Sequence, residues 1–264
     1  MKKKRKLIIK LSIFLIFIFW MIYGNVVVDL NVITIYDNKI PQEFDGYKVA
    51  HISDLHNDIS KSKQLIKLLK KSNPNVIAIT GDIIDSNNTN ISGALDFVEE
   101  IVKIAPCYYV TGNHEAWIGN YDYLKEQLVK LGVMVLEDMA VEINVSGKKI
   151  KLIGVNDPSF SSNVKTKLER LSDDELYTIL LSHRPELFDI YVECNIDLVL
   201  SGHAHGGQVR IPFIGGLGAP DQGLFPKYDS GLYTFDNTKM IVSRGVGNSI
   251  IPIRFNNQPE MILI

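Results

Sequence analysis

The feature that most constrains this chain is a pattern that recurs five times. A short apolar run ends in Ser or Thr and is followed at once by side chains that bind metals. The five copies are VAHIS before Asp54 and His56, NVIAIT before Gly81, Asp82 and Asp85, CYYVT before Gly112, Asn113 and His114, TILLS before His183, and IDLVLS before Gly202, His203 and His205. Short apolar runs of this kind are typical of strands buried on both faces. A fold that lines these strands up would gather the polar residues at one edge of a sheet.

The residue types in these motifs indicate a metal site. Imidazole, carboxylate and amide oxygen suit divalent metals that lie between the hard and soft extremes. Five of the six histidines fall in the motifs, and enough ligands are present for two ions. The sixth histidine, His51, lies inside the first apolar run, and we expect it to pack in the core. A single histidine at a strand end is usually structural, so the prediction depends on all five motifs together.

Composition places the chain among ordinary globular proteins. Its 264 residues are 46% hydrophobic and 22% charged, which predicts one domain after the N-terminal segment. The net charge of −2, with no basic stripe in the body of the chain, gives no reason to expect nucleic acid as a partner. Cys107 and Cys194 lie near apolar runs. We expect two small buried residues rather than a disulfide or a ligand pair.

The N-terminus predicts a membrane anchor over residues 1–24. A basic cluster at residues 1–6 precedes an apolar stretch from Leu7 to Tyr23, and a helix of this length crosses the hydrocarbon core. The basic end should stay in the cytoplasm and the rest of the chain outside, at the cell membrane. A cleaved signal peptide is the alternative, although residues 23–26 match a small-x-small cleavage site poorly. A helix lying on the surface is less suited, because the segment has no polar face.

Strands alternate with helices along the remainder of the chain. Strands are predicted at 48–53, 76–80, 107–111, 133–136, 141–145, 150–155, 177–182, 196–201, 232–235, 240–243 and 261–263, and helices at 59–71, 92–104, 120–131, 161–170 and 185–194. A leading strand (26–35) and linker within residues 25–47 precede a catalytic domain at 48–264. This alternation predicts an α/β fold, a four-layer sandwich of two mixed β-sheets flanked by helices.

The motifs carry a family resemblance. Asp54-x-His56, Gly81-Asp82-x-x-Asp85, Gly112-Asn113-His114-Glu115, His183 and Gly202-His203-x-His205, in this order, resemble the five motifs of the calcineurin-like metallophosphoesterases. The resemblance covers about residues 48 to 205, and no motif position departs from the family pattern, which argues against a degenerate, non-catalytic descendant. Later stretches resemble a bacterial membrane-associated branch that includes phosphodiesterases and UDP-2,3-diacylglucosamine hydrolase-like enzymes. They are Gly202 to Gln208, Ile211 to Phe213, Arg244 to Gly247 and Pro259-Glu260.

The resemblance implies two sets of metal ligands. Asp54, His56, Asp82 and His205 would hold one ion, and Asp82, Asn113, His183 and His203 the other. Asp82 would bridge, because two divalent ions about 4 Å apart need a shared anion to offset their repulsion. A hydroxide bridging the ions would attack phosphorus in line with the leaving oxygen. Mn, Fe and Zn all suit such mixed nitrogen and oxygen ligands.

Other motif residues have predicted roles beside the metals. By the same resemblance, His114 would protonate the leaving alkoxide or hydrogen-bond a phosphoryl oxygen, and Asp85 would hold its other ring nitrogen. Glu115 has no predicted ligand role and is as compatible with starting a helix or stabilising the fold. Arg184 and Arg210 flank ligands and would grip a substrate phosphate, with surface ion pairing as the alternative.

These expectations combine into a membrane-anchored, binuclear phosphoesterase that hydrolyses a phosphodiester or pyrophosphate. The enzymatic alternative is a phosphomonoesterase or protein phosphatase, although Ser86 stands where protein phosphatases carry Arg. The non-enzymatic alternative is a metal-stabilised binder of a phosphorylated envelope component. The loop at 209–226 exposes Phe213, Ile214, Leu217, Leu224 and Phe225 among glycines. We predict a partly apolar rim suited to a lipid-linked substrate, with packing onto the core as the alternative.

Overall fold

Two six-stranded sheets face each other in the computed structural model, which describes residues 2–172, 175–248 and 253–264. The strands are β1 Asp29–Val32, β2 Val49–Ile52, β3 Val76–Thr80, β4 Cys107–Val110, β5 Met134–Val135, β6 Met139–Val145, β7 Lys148–Gly154, β8 Thr178–Leu181, β9 Leu198–Ser201, β10 Arg210–Ile211, β11 Gly215–Gly216, β12 Gly218–Ala219, β13 Gly223–Leu224, β14 Gly231–Phe235, β15 Thr238–Val242 and β16 Glu260–Leu263. The helices are α1 Lys2–Val26, α2 Ser62–Ser72, α3 Ile91–Ile101, α4 Asn113–Trp117, α5 Tyr121–Lys130, α6 Val164–Leu171 and α7 Phe188–Glu193.

The strand order places parallel strands at the centre of both sheets. The first sheet runs β1-β16-β2-β3-β4-β5, and β2 to β5 are parallel neighbours. The second runs β14-β15-β9-β8-β7-β6, with β7, β8, β9 and β15 parallel. Antiparallel pairs join β16 to β2, β14 to β15 and β6 to β7. The carboxyl ends of the parallel strands within each sheet therefore lie along one edge.

Side chains of the central strands are apolar on both faces because both faces are covered. In β3, Ile77 and Ile79 join the core that the first sheet forms with α2, α3 and α5, whereas Val76 and Ala78 point between the sheets. The second sheet divides in the same way, with one set of side chains packed against α6 and α7. Three apolar layers thus separate four layers of secondary structure, and the predicted fold class is confirmed.

Element ends differ from the predicted ones where local signals are weak. Helix α1 continues to Val26, so the predicted leading strand is reduced to β1. The predicted helix at 185–194 begins with a 3-10 turn, Pro185–Leu187, before α7. The short helix α4 and the two-stranded ribbons β10-β11 and β12-β13 were not predicted, because elements of two to five residues show no periodicity.

Helix α1 has its side chains mostly exposed. Over Lys3–Val26 its mean hydropathy reaches 2.3, and by length and composition it could cross a membrane. Near its end, the ring of Trp20 contacts that of Phe255 edge to face at 5.1 Å. The end of α1 therefore meets the segment that precedes β16.

Two minor predictions are confirmed in the core. Cys107 and Cys194 are buried free cysteines. His51 is fully buried, its Nε2 lies 2.7 Å from Thr80 Oγ1, and burial lowers its pKa to about 4. It is a neutral core histidine and faces none of the motif carboxylates at bonding distance.

Candidate metal centre

The seven predicted ligands meet at the carboxyl edge of the two sheets. Each lies just after a central strand, and all are buried. Asp54 and His56 follow β2, Asp82 follows β3, Asn113 opens α4 after β4, His183 follows β8, and His203 and His205 follow β9. The first sheet therefore supplies the carboxylates, and the second supplies most of the imidazoles.

One cluster contains Asp54, His56 and His205. His205 Nε2 lies 3.4 Å from Asp54 Oδ1 and 3.2 Å from His56 Nε2. His56 Nε2 lies 3.8 Å from Asp54 Oδ1. Two imidazole nitrogens and a carboxylate oxygen thus converge on one point, as ligands of a single cation do.

The second cluster contains Asp82, His183 and His203. His183 Nε2 lies 3.2 Å from both Asp82 Oδ2 and His203 Nδ1. Its Nδ1 donates to the carbonyl oxygen of Thr80 at 2.7 Å, which leaves the Nε2 lone pair facing the cluster when the ring is neutral. Asp82 Oδ2 is also 3.7 Å from His56 Nε2, so this carboxylate reaches both clusters.

Buried polar atoms without a hydrogen-bond partner indicate which kind of ligand the two clusters could hold. Among the described residues, Asn113 Oδ1 is buried without a hydrogen-bond partner. An unsatisfied buried acceptor costs about 1–3 kcal/mol, and a cation would supply the missing partner. Carboxylate, amide oxygen and imidazole nitrogen together form a donor set suited to Mn, Fe or Zn. The residues present therefore fit divalent ions at both clusters.

The protonation of the site suits metal binding. Burial raises the pKa of Asp82, but the nearby imidazoles of His183 and His56 outweigh it and hold that pKa well below its usual value. Burial lowers the pKa of His205 to about 3, so this ring is neutral. Burial also lowers the pKa of His183, but the charge and hydrogen bond of Asp82 raise it to about 10. A cation at this cluster would therefore displace a proton from His183.

Several of these ligands have strained backbones. Positive φ values, which non-glycine residues rarely adopt, occur at Asp54, His56, Asp82, His203 and His205. Glycines beside the ligands make room for this packing. A Cβ at Gly112 would overlap the Asp82 carboxylate, and a Cβ at Gly202 would overlap Ser53 and the Asp54 carboxylate. Strain of this kind persists where the surroundings enforce it and is typical of functional sites.

Comparison with known proteins identifies the family of this chain. The family profile described as calcineurin-like phosphoesterase matches residues 47–207. The chain belongs to this family. It is a metal-dependent phosphoester hydrolase.

Relatives of this phosphoesterase match most of its length. The uncharacterised metallophosphoesterase YkuE of Bacillus subtilis is 30% identical over 236 residues, covering 86% of this chain and 82% of the relative. The phosphodiesterase YaeI of Escherichia coli is 28% identical over 235 residues, covering 86% and 83%. The crystal structure of TT1561 of Thermus thermophilus superposes with a TM-score of 0.53 at 13% identity, covering 75% and 89%, which is a likeness of fold.

Glu115, the last residue of the G-N-H-E motif, has a structural role that the sequence left open. Its side chain is fully buried and accepts hydrogen bonds from the backbone N–H groups of Gly112, Asp82 and Ile83, at 2.7, 2.9 and 2.9 Å. Burial, then the charge of Asp82, raises its pKa to about 7. Glu115 therefore ties together the two loops that carry Asp82 and Asn113.

His114 lies beside the clusters. Its ring centroid is 4.6 Å from that of His56, and its backbone N–H donates to Asp82 Oδ1 at 2.9 Å. The predicted partner of its Nδ1 was Asp85, whose Oδ1 lies 3.7 Å away, outside hydrogen-bond distance. The backbone N–H of Ser86 donates to Nδ1 instead, at 3.0 Å. Nδ1 is therefore an acceptor, and the ring proton of the neutral form is on Nε2.

The two arginines predicted to grip substrate are engaged by acidic residues. Arg184 is buried and donates to both carboxylate oxygens of Asp157, at 2.5 and 3.0 Å. Its Nη1 also pairs with Asp221 and lies 2.9 Å from His203 Nε2. Arg210 Nη1 lies 3.1 Å from Asp229 Oδ2. Both guanidinium groups therefore already have protein partners. Their binding of a substrate phosphate stays a prediction.

Asp221 was not singled out in the sequence, since a lone acid in a glycine-rich loop carries no signal. His203 Nε2 lies 2.9 Å from Asp221 Oδ2, and the ring donates to this carboxylate when its proton is on Nε2. That tautomer leaves Nδ1 of His203 unprotonated and facing the second cluster. The hydrogen bond with His203 lowers the pKa of Asp221 to about 2. Asp221 therefore orients a predicted ligand from outside the metal centre.

Proposed function

We propose that this protein is a membrane-anchored phosphodiesterase that works with two divalent ions and acts on a phosphodiester or pyrophosphate bond. The observation that carries the proposal is the position of the Asp82 carboxylate, which faces ligands of both clusters. When bound, two such ions neutralise a phosphoryl group and activate water as a nucleophile. Similarity to a relative named phosphodiesterase supports a diester over a monoester.

The chain's own residues supply a hydrogen-bond donor and the geometry of this reaction. His114 carries its ring proton on Nε2, because Ser86 N–H donates to Nδ1. It is placed to donate a hydrogen bond from Nε2 to an oxygen of the substrate's phosphoryl group. Glu115 fixes the loops of Asp82 and Asn113, and Asp221 fixes the ring of His203. These contacts hold the ligand atoms in place before substrate arrives.

Exposed apolar side chains near the site support a lipid-linked substrate. Phe213, Ile214, Leu224 and Phe225 are exposed in the loop that follows the ligand His205. Trp117 is also exposed, and its ring lies 5.1 Å from that of His114. Exposed apolar groups gathered at a site favour contact with a ligand or membrane.

The same loop lies near the end of α1. Val209 pairs with Phe255, whose ring contacts Trp20 of α1. A helix inserted in the bilayer would therefore keep the loop close to the membrane surface. The basic residues at the start of α1 favour a cytoplasmic N-terminus and an outward-facing catalytic domain.

The function is tested with the full chain in detergent micelles, assayed with bis(p-nitrophenyl) phosphate and Mn²⁺. We expect hydrolysis that depends on Mn²⁺ and vanishes in Asp82→Ala. A folded, Mn²⁺-loaded protein that leaves this diester and pyrophosphate-linked substrates intact would contradict the proposal.

The lipid preference has its own test, with a matched control. Phe225 and Phe235 are 59% and 60% exposed, but only Phe225 belongs to the loop beside the site. Replacing Phe213 and Phe225 with Ser should raise KM for a lipid-linked diester and leave bis(p-nitrophenyl) phosphate turnover unchanged. Phe235→Ser should change neither. Equal KM values for the lipid substrate in all three proteins would remove the lipid part of the proposal.

A further inference from the structure

Arg254 is a buried cation that is held by neutral groups. Its side chain is 1% exposed, and burial lowers its pKa to about 10. Nε donates to Asn248 Oδ1 at 2.9 Å, and Nη1 and Nη2 donate to the carbonyl oxygens of Arg244 and Gly247, at 2.6 and 2.5 Å. Burying a guanidinium without a carboxylate partner is costly. In the part of the chain that the structure describes, Arg254 has no salt-bridge partner. Its hydrogen bonds therefore fix the position of the groups that accept them rather than neutralise its charge.

Those bonds hold residues 244–248, which we call the Arg244 loop, against the strand end that carries Asp54. On the inner side of this loop, Val246 N–H donates to Ser53 O at 3.1 Å and Gly247 N–H donates to Asp54 O at 2.7 Å. The packing leaves no space, because a Cβ at Gly245 would lie 2.7 Å from Asp54 Cβ. The backbone of Asp54 thus rests on a loop whose outer side is bound by Arg254.

The backbone of Arg254 is bound in turn by the last turn of α1. Asn25 Oδ1 accepts from Arg254 N–H at 2.7 Å, and Asn25 Nδ2 donates to Arg254 O at 2.9 Å. Asn25 Nδ2 also donates to Met21 O at 2.8 Å, within the same helix. A continuous set of hydrogen bonds therefore leads from α1 through Arg254 and the Arg244 loop to Asp54.

We propose that Arg254 is a positioning residue for Asp54 and that Asn25 couples α1 to the metal centre through it. The proposal rests on the proposed two-ion function. The affinity of the Asp54, His56 and His205 cluster for a divalent ion then depends on how the apolar helix is attached. Residues that orient ligands from outside the coordination sphere typically change metal affinity by about 10- to 100-fold.

Gln64 offers a matched control, because it also binds the end of α1 but connects it to α2 rather than to Arg254. Its Nε2 donates to Val26 O at 2.9 Å, and its Oε1 accepts from Val28 N–H at 3.2 Å. It lies on α2, and neither bond involves Arg254. Gln64→Ala therefore loosens the end of α1 without breaking the hydrogen bonds that lead to Asp54.

The experiment measures Mn²⁺ binding to the full chain in micelles by isothermal titration calorimetry, with metal content after dialysis as a second readout. Arg254→Lys keeps the charge but cannot bind all three acceptors, and we expect about a tenfold higher Kd at one of the two sites. Asn25→Ala should raise the same Kd by a smaller factor, and Gln64→Ala should leave it unchanged.

Two results would overturn the inference. One is an unchanged Kd in Arg254→Lys or, if that variant does not fold, in Asn25→Ala. The other is an equal rise in Gln64→Ala, which would attribute the effect to general loosening of the junction. Failure of the wild-type chain to bind Mn²⁺ would instead contradict the proposed function.

Discussion

The two sheets hold their ligand loops with buried charges of opposite sign. At the first sheet, the carboxylate of Glu115 accepts from the backbone N–H groups of the loops that carry Asp82 and Asn113. At the second, the guanidinium of Arg184 donates to Asp157, pairs with Asp221 and lies against His203. The difference arises from the groups that must be held, since bare backbone N–H groups need an acceptor and carboxylates need a donor.

The two arrangements also differ in their access to water. Glu115 is fully enclosed, whereas the side chain of Asp221 is 57% exposed. Hydrogen bonds to a fully buried charge are strong and costly to lose, but those of an exposed carboxylate compete with water. The first-sheet loops should therefore be fixed rigidly, and the second-sheet ligand His203 should tolerate adjustment.

The largest effect is expected at Asp82, which lies between the ligand loops of the two sheets. Asp82→Ala removes a carboxylate that faces both clusters, so Mn²⁺ content and diester hydrolysis should both fall to background. Metal analysis and the bis(p-nitrophenyl) phosphate assay measure the two quantities. Glu126→Ala, which replaces an exposed carboxylate on α5, is the control and should retain both. Retention of two ions in Asp82→Ala would mean that Asp82 is not a ligand shared by the two clusters.

A smaller loss, confined to catalysis, is expected at His114. This residue lies in a loop of the first sheet and is not a predicted metal ligand. His114→Ala should reduce kcat by about 100-fold and leave the Mn²⁺ content intact, because a hydrogen bond to the phosphoryl group is lost and the metal ligands remain. Steady-state kinetics with metal analysis on the same sample checks this. Loss of metal would show that His114 is a ligand rather than a hydrogen-bond donor to the substrate.

The rigidity of the first-sheet loops is tested at Glu115. Glu115→Ala leaves buried N–H groups of Asp82, Ile83 and Gly112 without an acceptor, and should lower the free energy of unfolding by about 3 kcal/mol. Urea denaturation of the metal-free protein measures this. Glu99→Ala, at an exposed position of α3, should change stability little. If both variants unfold alike, the buried carboxylate is not the group that holds these loops.

The adjustability of the second-sheet ligand His203 is tested at Asp221, where the smallest effect is expected. Asp221→Ala removes the acceptor of His203 Nε2 and should weaken Mn²⁺ binding by about tenfold or less, with little change in stability. Calorimetric Mn²⁺ titration measures the affinity. Asp236→Ala is matched, since both aspartates are exposed and have positive φ (55° and 49°). Identical affinities in both variants would leave His203 without a positioning partner in this loop.

The sequence predicted the fold class and the gathering of the ligands for a physical reason. Apolar runs such as the one before Asp82 identify buried strands, and parallel strands bring the residues at their carboxyl ends to one edge. The supporting contacts had no such signal. Glu115 binds backbone groups that no sequence pattern marks, and Ser86 rather than Asp85 bonds His114 through its backbone N–H. Long-range partners such as Asn25 and Arg254 become visible only when distant segments are folded together.

The position of β16 between β1 and β2 has a consequence for how the molecule is made. The first sheet cannot close until the segment that contains Glu260 to Leu263 has been synthesised. Until then β2, which leads into Asp54, has an open edge, and pairing between such distant segments forms slowly. An open strand edge can pair with another chain. Nascent copies held close together should therefore be most prone to misassociation before this segment has been synthesised.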